Sequence, residues 1–300
     1  MNIVPNYLEQ PEGWNQGIYD LESYAQYDSI QALRSSQLKL MRKSAAHFRA
    51  SFEYKKPISA QLQKSFDKGK AFDVLILHGR EAMDQLVAID PGYHRNSNKY
   101  KDWAEINADK VFLTAEEYRG IVAMAEAAFK KERFSEIFNG PGYRHKVIVW
   151  KDVSTGIWCK AEIDFIREGT PGAVVDLKST ADAGFWFFSK NARRLGYANQ
   201  GAHYLDGLTQ VTGLVHTEFY LSAVETLPPF ESHVFKVSRD MIDRAQLYNE
   251  ENMQTLVYCL TNDIWPGYPD QIMDLESGHY FDEEYLTEEE MEEFDDASNF

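Results

Sequence analysis

The chain has only two cysteines, Cys159 and Cys259, in 300 residues. Two thiols cannot supply a four-ligand zinc or iron–sulfur site, and a chain this long needs no disulfide to hold a core. A reduced, cytoplasmic setting is expected. Nowhere does an apolar run approach the roughly 18 residues that a membrane span requires, so no membrane partner is expected. Residues 1–9 lack the basic-then-apolar pattern of a secretory signal. There is no internal repeat, and no long Gly/Ser or Pro linker before the C-terminal end. Apolar residues at 44% and aromatics at 14% argue against wholesale disorder and for one large domain or two ordinary ones.

Positive charge is also scarce. Lys and Arg total 31 against 47 acids, a net charge of −16, which taken alone speaks against nucleic acid. Its distribution changes that conclusion. Thirteen of the acids lie between Asp270 and Phe300, where there is no Lys or Arg, leaving 34 acids against 31 bases in the remainder. A nearly balanced body can still present a basic groove, because local field governs phosphate attraction.

Periodicity predicts helices first. Ser35-Ser36 reads as a hydroxyl cap for a helix over 37–43 with a cationic end. A second helix is expected over 62–77. Thr114 and Glu117 form a capping box ahead of Tyr118, Ile121, Val122, Ala125 and Phe129. Strand-like runs follow at 147–150, 156–166 and 173–178, separated by turn residues that include Gly169-Thr170-Pro171-Gly172. A helix over 191–208, strands at 218–223 and 233–237, and a helix over 240–260 complete the pattern. The fold class is α/β (α+β), a central mixed β-sheet flanked by helices.

Chemistry concentrates around Asp164 and Asp176-Leu177-Lys178. A hairpin about the Gly169–Gly172 turn has its midpoint at 170 and sets Asp164 opposite Asp176. Alternation then puts Asp176 and Lys178 on one face and Leu177 on the other. Two carboxylates beside an ammonium suit a hard, partly hydrated cation such as Mg²⁺. The competing reading is a structural ion pair on a solvated strand. Asp73 lies in the apolar run 71–77, where a buried carboxylate needs a partner or a metal; alternatively it faces solvent at a helix edge. His78, at the end of the same helix, reads as a cap. Gln200 and Tyr204, four apart, share a helix face. The aromatic run Phe185-Trp186-Phe187-Phe188 is expected to be mostly core with one ring exposed, a ring able to stack on a base.

In this order, the segments resemble the RecE-type exonucleases (exonuclease VIII) of the PD-(D/E)xK superfamily. The matching residues are Ser35-Ser36-Gln37-Leu38, Gly69-Lys70-Ala71-Phe72-Asp73, Thr114-Ala115-Glu116-Glu117, Gly156-Ile157-Trp158-Cys159, Ile163-Asp164 and Asp176-Leu177-Lys178-Ser179-Thr180-Ala181-Asp182. Tyr197, Gln200, Tyr204, Asp206-Gly207 and Asn262-Asp263-Ile264-Trp265-Pro266 complete the set. The resemblance implies a restriction-endonuclease-like core and a metal-dependent nuclease, with Mg²⁺ as the ion and Mn²⁺ as the alternative. The implied activity degrades duplex DNA from 5′ ends and leaves 3′ single strands for recombination. The implied setting is a bacterial cell or its phage, with a homo-oligomeric ring and a single-strand annealing protein as partner. It assigns Asp164, Asp176 and the Leu177 carbonyl to metal, with Asp73 as the helix-borne ligand. Lys178 orients or activates water, and Gln200 and Tyr204 complete the site. Arg34 and Ser36 are candidates for holding a 5′ phosphate at the start of the following helix, against the simpler reading of a plain cap.

This chain departs from the family pattern in two places. Asp73 stands where the family commonly has His, and Glu162-Ile163 stands where an Arg or Pro often flanks the metal Asp. Nucleases of the superfamily that carry a four-cysteine cluster are excluded by the two cysteines. An endonuclease with the same core and a non-catalytic DNA-end-binding scaffold remain as alternatives. The expected organisation is an N-terminal extension over 1–28, the exonuclease domain over 29–269 and an acidic tail over 270–300. The tail has too little apolar content for a core of its own. Partner docking, repulsion of DNA from the outer surface and simple solubilisation are its competing roles, and its end at Phe300 is similar to the tails of bacterial single-strand DNA-binding proteins. Truncation before Phe281 is expected to spare catalysis and raise nonspecific DNA binding at low salt.

Overall fold

The computed structural model describes residues 3–21, 24–54, 57–169 and 172–274. Nearly all of the acidic tail, and the tip of the 169–172 turn, therefore lie outside the described residues. The elements run β1 (Gly17–Tyr19), α1 (Tyr24–Ser29), α2 (Ser35–Met41), α3 (Ala45–Glu53), α4 (Ala60–His78), α5 (Arg80–Leu86), β2 (Val87–Ile89), α6 (Asn98–Ile106), β3 (Val111–Leu113), α7 (Ala115–Phe129) and α8 (Glu132–Phe138). Then come β4 (Gly142–Lys151), β5 (Trp158–Arg167), β6 (Gly172–Thr180), α9 (Phe185–Leu195), α10 (Tyr197–Thr212), β7 (His216–Glu225), β8 (Ser232–Lys236) and α11 (Arg239–Asn262).

Six strands form one mixed sheet in the order β1-β4-β5-β6-β7-β8, with β6 and β7 parallel and the other pairs antiparallel. Strands β2 and β3 pair separately, in parallel. One face of the sheet, with Trp150, Ala161, Val174, Phe219 and Leu221, packs on α2, α10 and α11 through Leu38, Met41, Ala202, Leu205 and Leu256. The other face carries Phe165, Val175, Leu177 and Val224 and packs on α4, α7 and α8 through Phe72, Ile76, Met124 and Phe134. Helix α10 comes unusually near the sheet because Gly201 has no side chain; a Cβ there would run into the Phe219 ring. That close approach sets the depth of the neighbouring Gln200.

Local expectations hold where capping chemistry is explicit. Thr114 Oγ1 accepts from the Glu117 N–H, and the Glu117 carboxylate accepts from the Thr114 N–H, closing the box that starts α7. Helix α2 differs from expectation: Arg34 is its N-cap and Ser35 already lies inside it, with the Gln37 side chain accepting the Arg34 N–H. The helix expected over 191–208 is two helices. Gly196, at φ 72, ends α9 in the left-handed conformation that glycine tolerates, and α10 restarts beside it. The aromatic run opens α9, with Phe188 buried but both Phe185 and Trp186 exposed, so two rings are exposed instead of one. The segment expected as an N-terminal extension is built into the same body. Tyr7 is buried in the main core and accepts the Trp158 N–H through its carbonyl, and β1 pairs along β4.

Candidate active site

The β5–β6 ladder runs from Arg167–Ala173 to Phe165–Val175, a register that continues to Asp164 opposite Asp176. There the ladder stops. Asp164 Oδ2 instead accepts the Leu177 N–H at 2.7 Å, so a side chain replaces a strand carbonyl and β6 leaves β5. The alternation of β5 slips at the same point: Ala161 and Ile163 pack toward α10, but so does Ile166, while Phe165 packs on the opposite face. His145, flanked in β4 by the partners of Phe165 and Ile163, has φ 53. The irregularity leaves an opening between two strands that would otherwise be closed.

That opening is a cleft of about 280 Å³ lined by Asp73, Asp164, Asp176, Leu177, Lys178, Gln200, Tyr204, Arg34 and Ser36, together with Tyr27, Ser35 and Glu162. All nine residues singled out from sequence meet in it, although they come from α2 and its cap, α4, β5, β6 and α10. His78 does not line it; its ring lies 5.8 Å from that of His145. Leu177 splits its two roles as the alternation requires, with its side chain buried on the α4 face and its backbone at the cleft.

Lys178 Nζ reaches Asp176 Oδ2 at 2.5 Å and lies 4.7 Å from the centre of the Tyr197 ring. The Gln200 amide donates to Asp176 Oδ1 at 3.2 Å and to the Tyr204 hydroxyl at 2.8 Å. Burial opposes the Lys178 charge, but Asp176, with Tyr197 and Asp164 behind it, holds the pKa above the ordinary lysine value. Burial, then the neighbouring Asp176, pushes Asp164 up to about 7. Asp73 is driven well above the carboxylate range, first by burial and then by Asp164, with Lys178 only partly offsetting. Tyr204 is likewise raised by burial and stays neutral.

Among the described residues, no three His, Cys, Asp or Glu side chains are already gathered as a metal-ligand set. The donor chemistry nevertheless fits a hard divalent cation. Four carboxylates line the cleft against two cationic side chains, and burial first, then the neighbouring carboxylates, raise Asp73 and Asp164, so that a cation placed among them would relieve the cost of their charge. A bound ion would be held by Asp164, Asp176 and the Asp73 carboxylate that α4 carries beside them.

Sequence reasoning did not find Tyr27 or Glu162 as cleft residues. Glu162 stands two before Asp164 on one strand, a spacing that could have drawn attention to it. Tyr27 had no local signal. Its carbonyl and that of Ile30 accept from the buried Lys160 Nζ at 2.6 and 2.8 Å, which pins the segment before α2 to β5 across some 130 residues of chain.

Comparison with known proteins adds the lineage. A family model described as a PDDEXK-like domain of unknown function (DUF3799) matches residues 34–276. The crystal structure of a protein from Eubacterium rectale named "Putative exonuclease" covers 90% of this chain and 96% of its own, at 14% identity and a TM-score of 0.56. This likeness speaks to the fold. The SSO0001 crystal structure overlaps 68% of this chain and 96% of its own at 14% identity, but its TM-score of 0.27 carries no argument. No curated protein matches the chain in sequence. With 34–276 matched and the D-x-K strand at the cleft, the chain belongs to the PDDEXK-like DUF3799 family, and thus to the PD-(D/E)xK nucleases, which generally use divalent metal ions.

Proposed function

We propose that the chain is a Mg²⁺-dependent exonuclease of the RecE type, working 5′→3′ on duplex DNA ends and leaving 3′ single strands for annealing-based recombination. The observation that carries this reading is the convergence of Asp73, Asp164, Asp176, Lys178, Gln200 and Tyr204, from four separate elements, in one cleft beside Arg34 and Ser36. A divalent ion there would polarise the scissile phosphate and lower the pKa of a bound water. The chain's own groups do the rest. Lys178, held cationic by Asp176, orients the attacking water and opposes charge on the phosphoryl oxygens. Gln200 fixes the Asp176 carboxylate by one hydrogen bond and the Tyr204 hydroxyl by another. Arg34, at the start of α2, supplies a guanidinium that can take a terminal phosphate by a two-pronged contact. A ring around DNA and a single-strand annealing partner belong to the same proposal.

The test uses linear duplexes labelled at either end of either strand, with and without a 5′ phosphate, in Mg²⁺ or EDTA. Mononucleotide release from the 5′ end, abolished by EDTA, is the expected result. Faster release from phosphorylated ends supports Arg34 and Ser36 as the phosphate holders, and equal rates remove that role. Cutting of a closed circular duplex replaces the exonuclease reading with an endonuclease one. No Mg²⁺-dependent release from any substrate makes the chain a binding protein.

A further inference from the structure

Helix α9 contains no acidic residue, in a chain of net charge −16, and carries Lys190, Arg193 and Arg194. At 100° per residue, Trp186, Lys190 and Arg193 stand at i, i+4 and i+7 on one face, and all three are exposed. The rotation of the helix is fixed from the other side, where Phe188 is buried and stacks on Phe235 at 4.7 Å. Trp186 is 84% exposed, so its large ring gains almost nothing from folding. Phe185 meets it edge-on at 5.1 Å.

Arg194, next to this face on the same helix, belongs to a cluster that begins at the cleft. Helix α2 starts with Arg34, Ser35 and Ser36 in the cleft wall. One turn on is Lys39, and Arg42 and Lys43 follow. Gly196, between α9 and α10, lies against Arg42: a Cβ there would sit 2.8 Å from Nη1. Burial, then Arg42, Lys43 and Arg194, brings Lys39 down to about 8, which places these four positive groups within one another's field. Tyr197, whose ring centre lies 4.7 Å from Lys178 Nζ, is also within the field of Arg194.

We propose that this face of α9 binds single-stranded DNA outside the cleft, with a base stacked on Trp186 and phosphates on Lys190, Arg193 and the Lys39–Arg42–Lys43 cluster. Cations beside an exposed indole complement a polyanion that also offers flat apolar faces. A duplex keeps those faces covered by its own stacking. The inference deepens the nuclease reading, since the strand bound here is the one leaving or entering the cleft, but its measurement requires no turnover.

The test is fluorescence anisotropy of a labelled oligothymidylate of about 12 nucleotides with the full chain in EDTA, across a salt series. Trp186→Ala is expected to weaken binding about tenfold, the worth of one stacked base, and Trp186→Phe to recover most of it. The double variant Lys190→Gln/Arg193→Gln is expected to flatten the slope of log K against log salt by about 1.4, two phosphate contacts on a single strand. Unchanged affinity and slope in all three variants overturn the proposal. An equal loss on a blunt duplex overturns the stacking role of Trp186. A shift in sedimentation of Trp186→Ala with DNA binding intact also overturns it, and gives the face to a second copy of the chain. Because metal is absent, these outcomes stand whether or not Mg²⁺ later elicits hydrolysis, so failure here and failure of the nuclease reading are separate results.

Discussion

Helix α10 borders two acid-lined hollows. Gln200 and Tyr204 line one, the candidate active-site cleft; His203, Asp206 and Gln210 line the other, a cavity of about 170 Å³ that also includes Asp152, Asn249 and Glu250. In each, a glutamine of α10 bridges carboxylate chemistry: Gln200 donates to Asp176 and Tyr204, Gln210 to Asp152 and Asp206. The carboxylates are treated differently. Asp152 Oδ1 takes three hydrogen bonds from Ser154 and Thr155 in its own turn. Burial opposes its charge, yet those donors hold its pKa below the ordinary value. Among the described residues no Lys or Arg lines this second cavity, and burial lowers the His203 pKa to about 4, keeping it neutral. In the cleft the carboxylates lean on one another and on Lys178, which leaves charge for an outside cation to neutralise. The second cavity keeps Asp152 on the donors of its own turn and raises one carboxylate, Asp206, whereas the cleft sets two raised carboxylates, Asp73 and Asp164, beside Asp176.

The sharpest break between the two hollows is catalytic. Asp176→Ala and Lys178→Ala are each predicted to cut Mg²⁺-dependent nucleotide release by about a thousandfold or more, the range seen when a group acting on transition-state charge is lost. Asp73→Ala should behave alike and His78→Ala should not, because only Asp73 lines the cleft. Asp206→Asn, in the other cavity, is expected to stay within about twofold. Release assays on variants with native near-UV circular dichroism decide this. Near-normal release by folded Asp176→Ala would remove the cleft from the chemistry.

The cation itself sharpens the comparison on a smaller scale. At pH 8, Mg²⁺ at about 100 times its dissociation constant is predicted to stabilise the fold by about 2.7 kcal/mol, a shift in melting midpoint of about 5 °C. At pH 5.5 the shift should shrink, since Asp164, raised to about 7, carries a proton there that the ion must displace. Asp164→Asn should lose the shift at both pH values, while Asp206→Asn keeps it. A shift that survives Asp164→Asn and disappears in Asp206→Asn would move the ion to the second cavity.

Much of the cleft was legible in sequence because its register is local. Asp164 and Asp176 are separated by one hairpin, Gln200 and Tyr204 by one helical turn, and Asp73 is conspicuous within an apolar run. What escaped was non-local or broke a rule. The slip in β5 at Asp164 violates strict alternation, and nothing in the strand pattern marks it. The split between α9 and α10 was hidden because the flanking residues favour helix on both sides of Gly196. Strand β1, Tyr27 and the pairing of Asp152 with Gln210 depend on contacts across some 58 to 133 residues of chain. No periodicity within one element announces such contacts.

The finest test of the contrast between hollows is the pH dependence of stability. Burial, then Asp152, raises Asp206 from its usual value to about 6. The fold therefore favours its protonated form. The stability this provides is fully present below the unfolded pKa and is lost as pH rises through about 6. Asn at this position keeps a neutral side chain at every pH, and its amide oxygen can still accept from Gln210. Relative to the parent, Asp206→Asn should thus be near neutral at pH 4.5 and more stable by about 1–3 kcal/mol at pH 8, read from urea unfolding at the two values. The opposite trend, a variant that loses stability as pH rises, would mean that the Asp206 carboxylate is welcomed as an anion. The second cavity would then hold charge as the cleft does, and the distinction between them would rest on Lys178 alone.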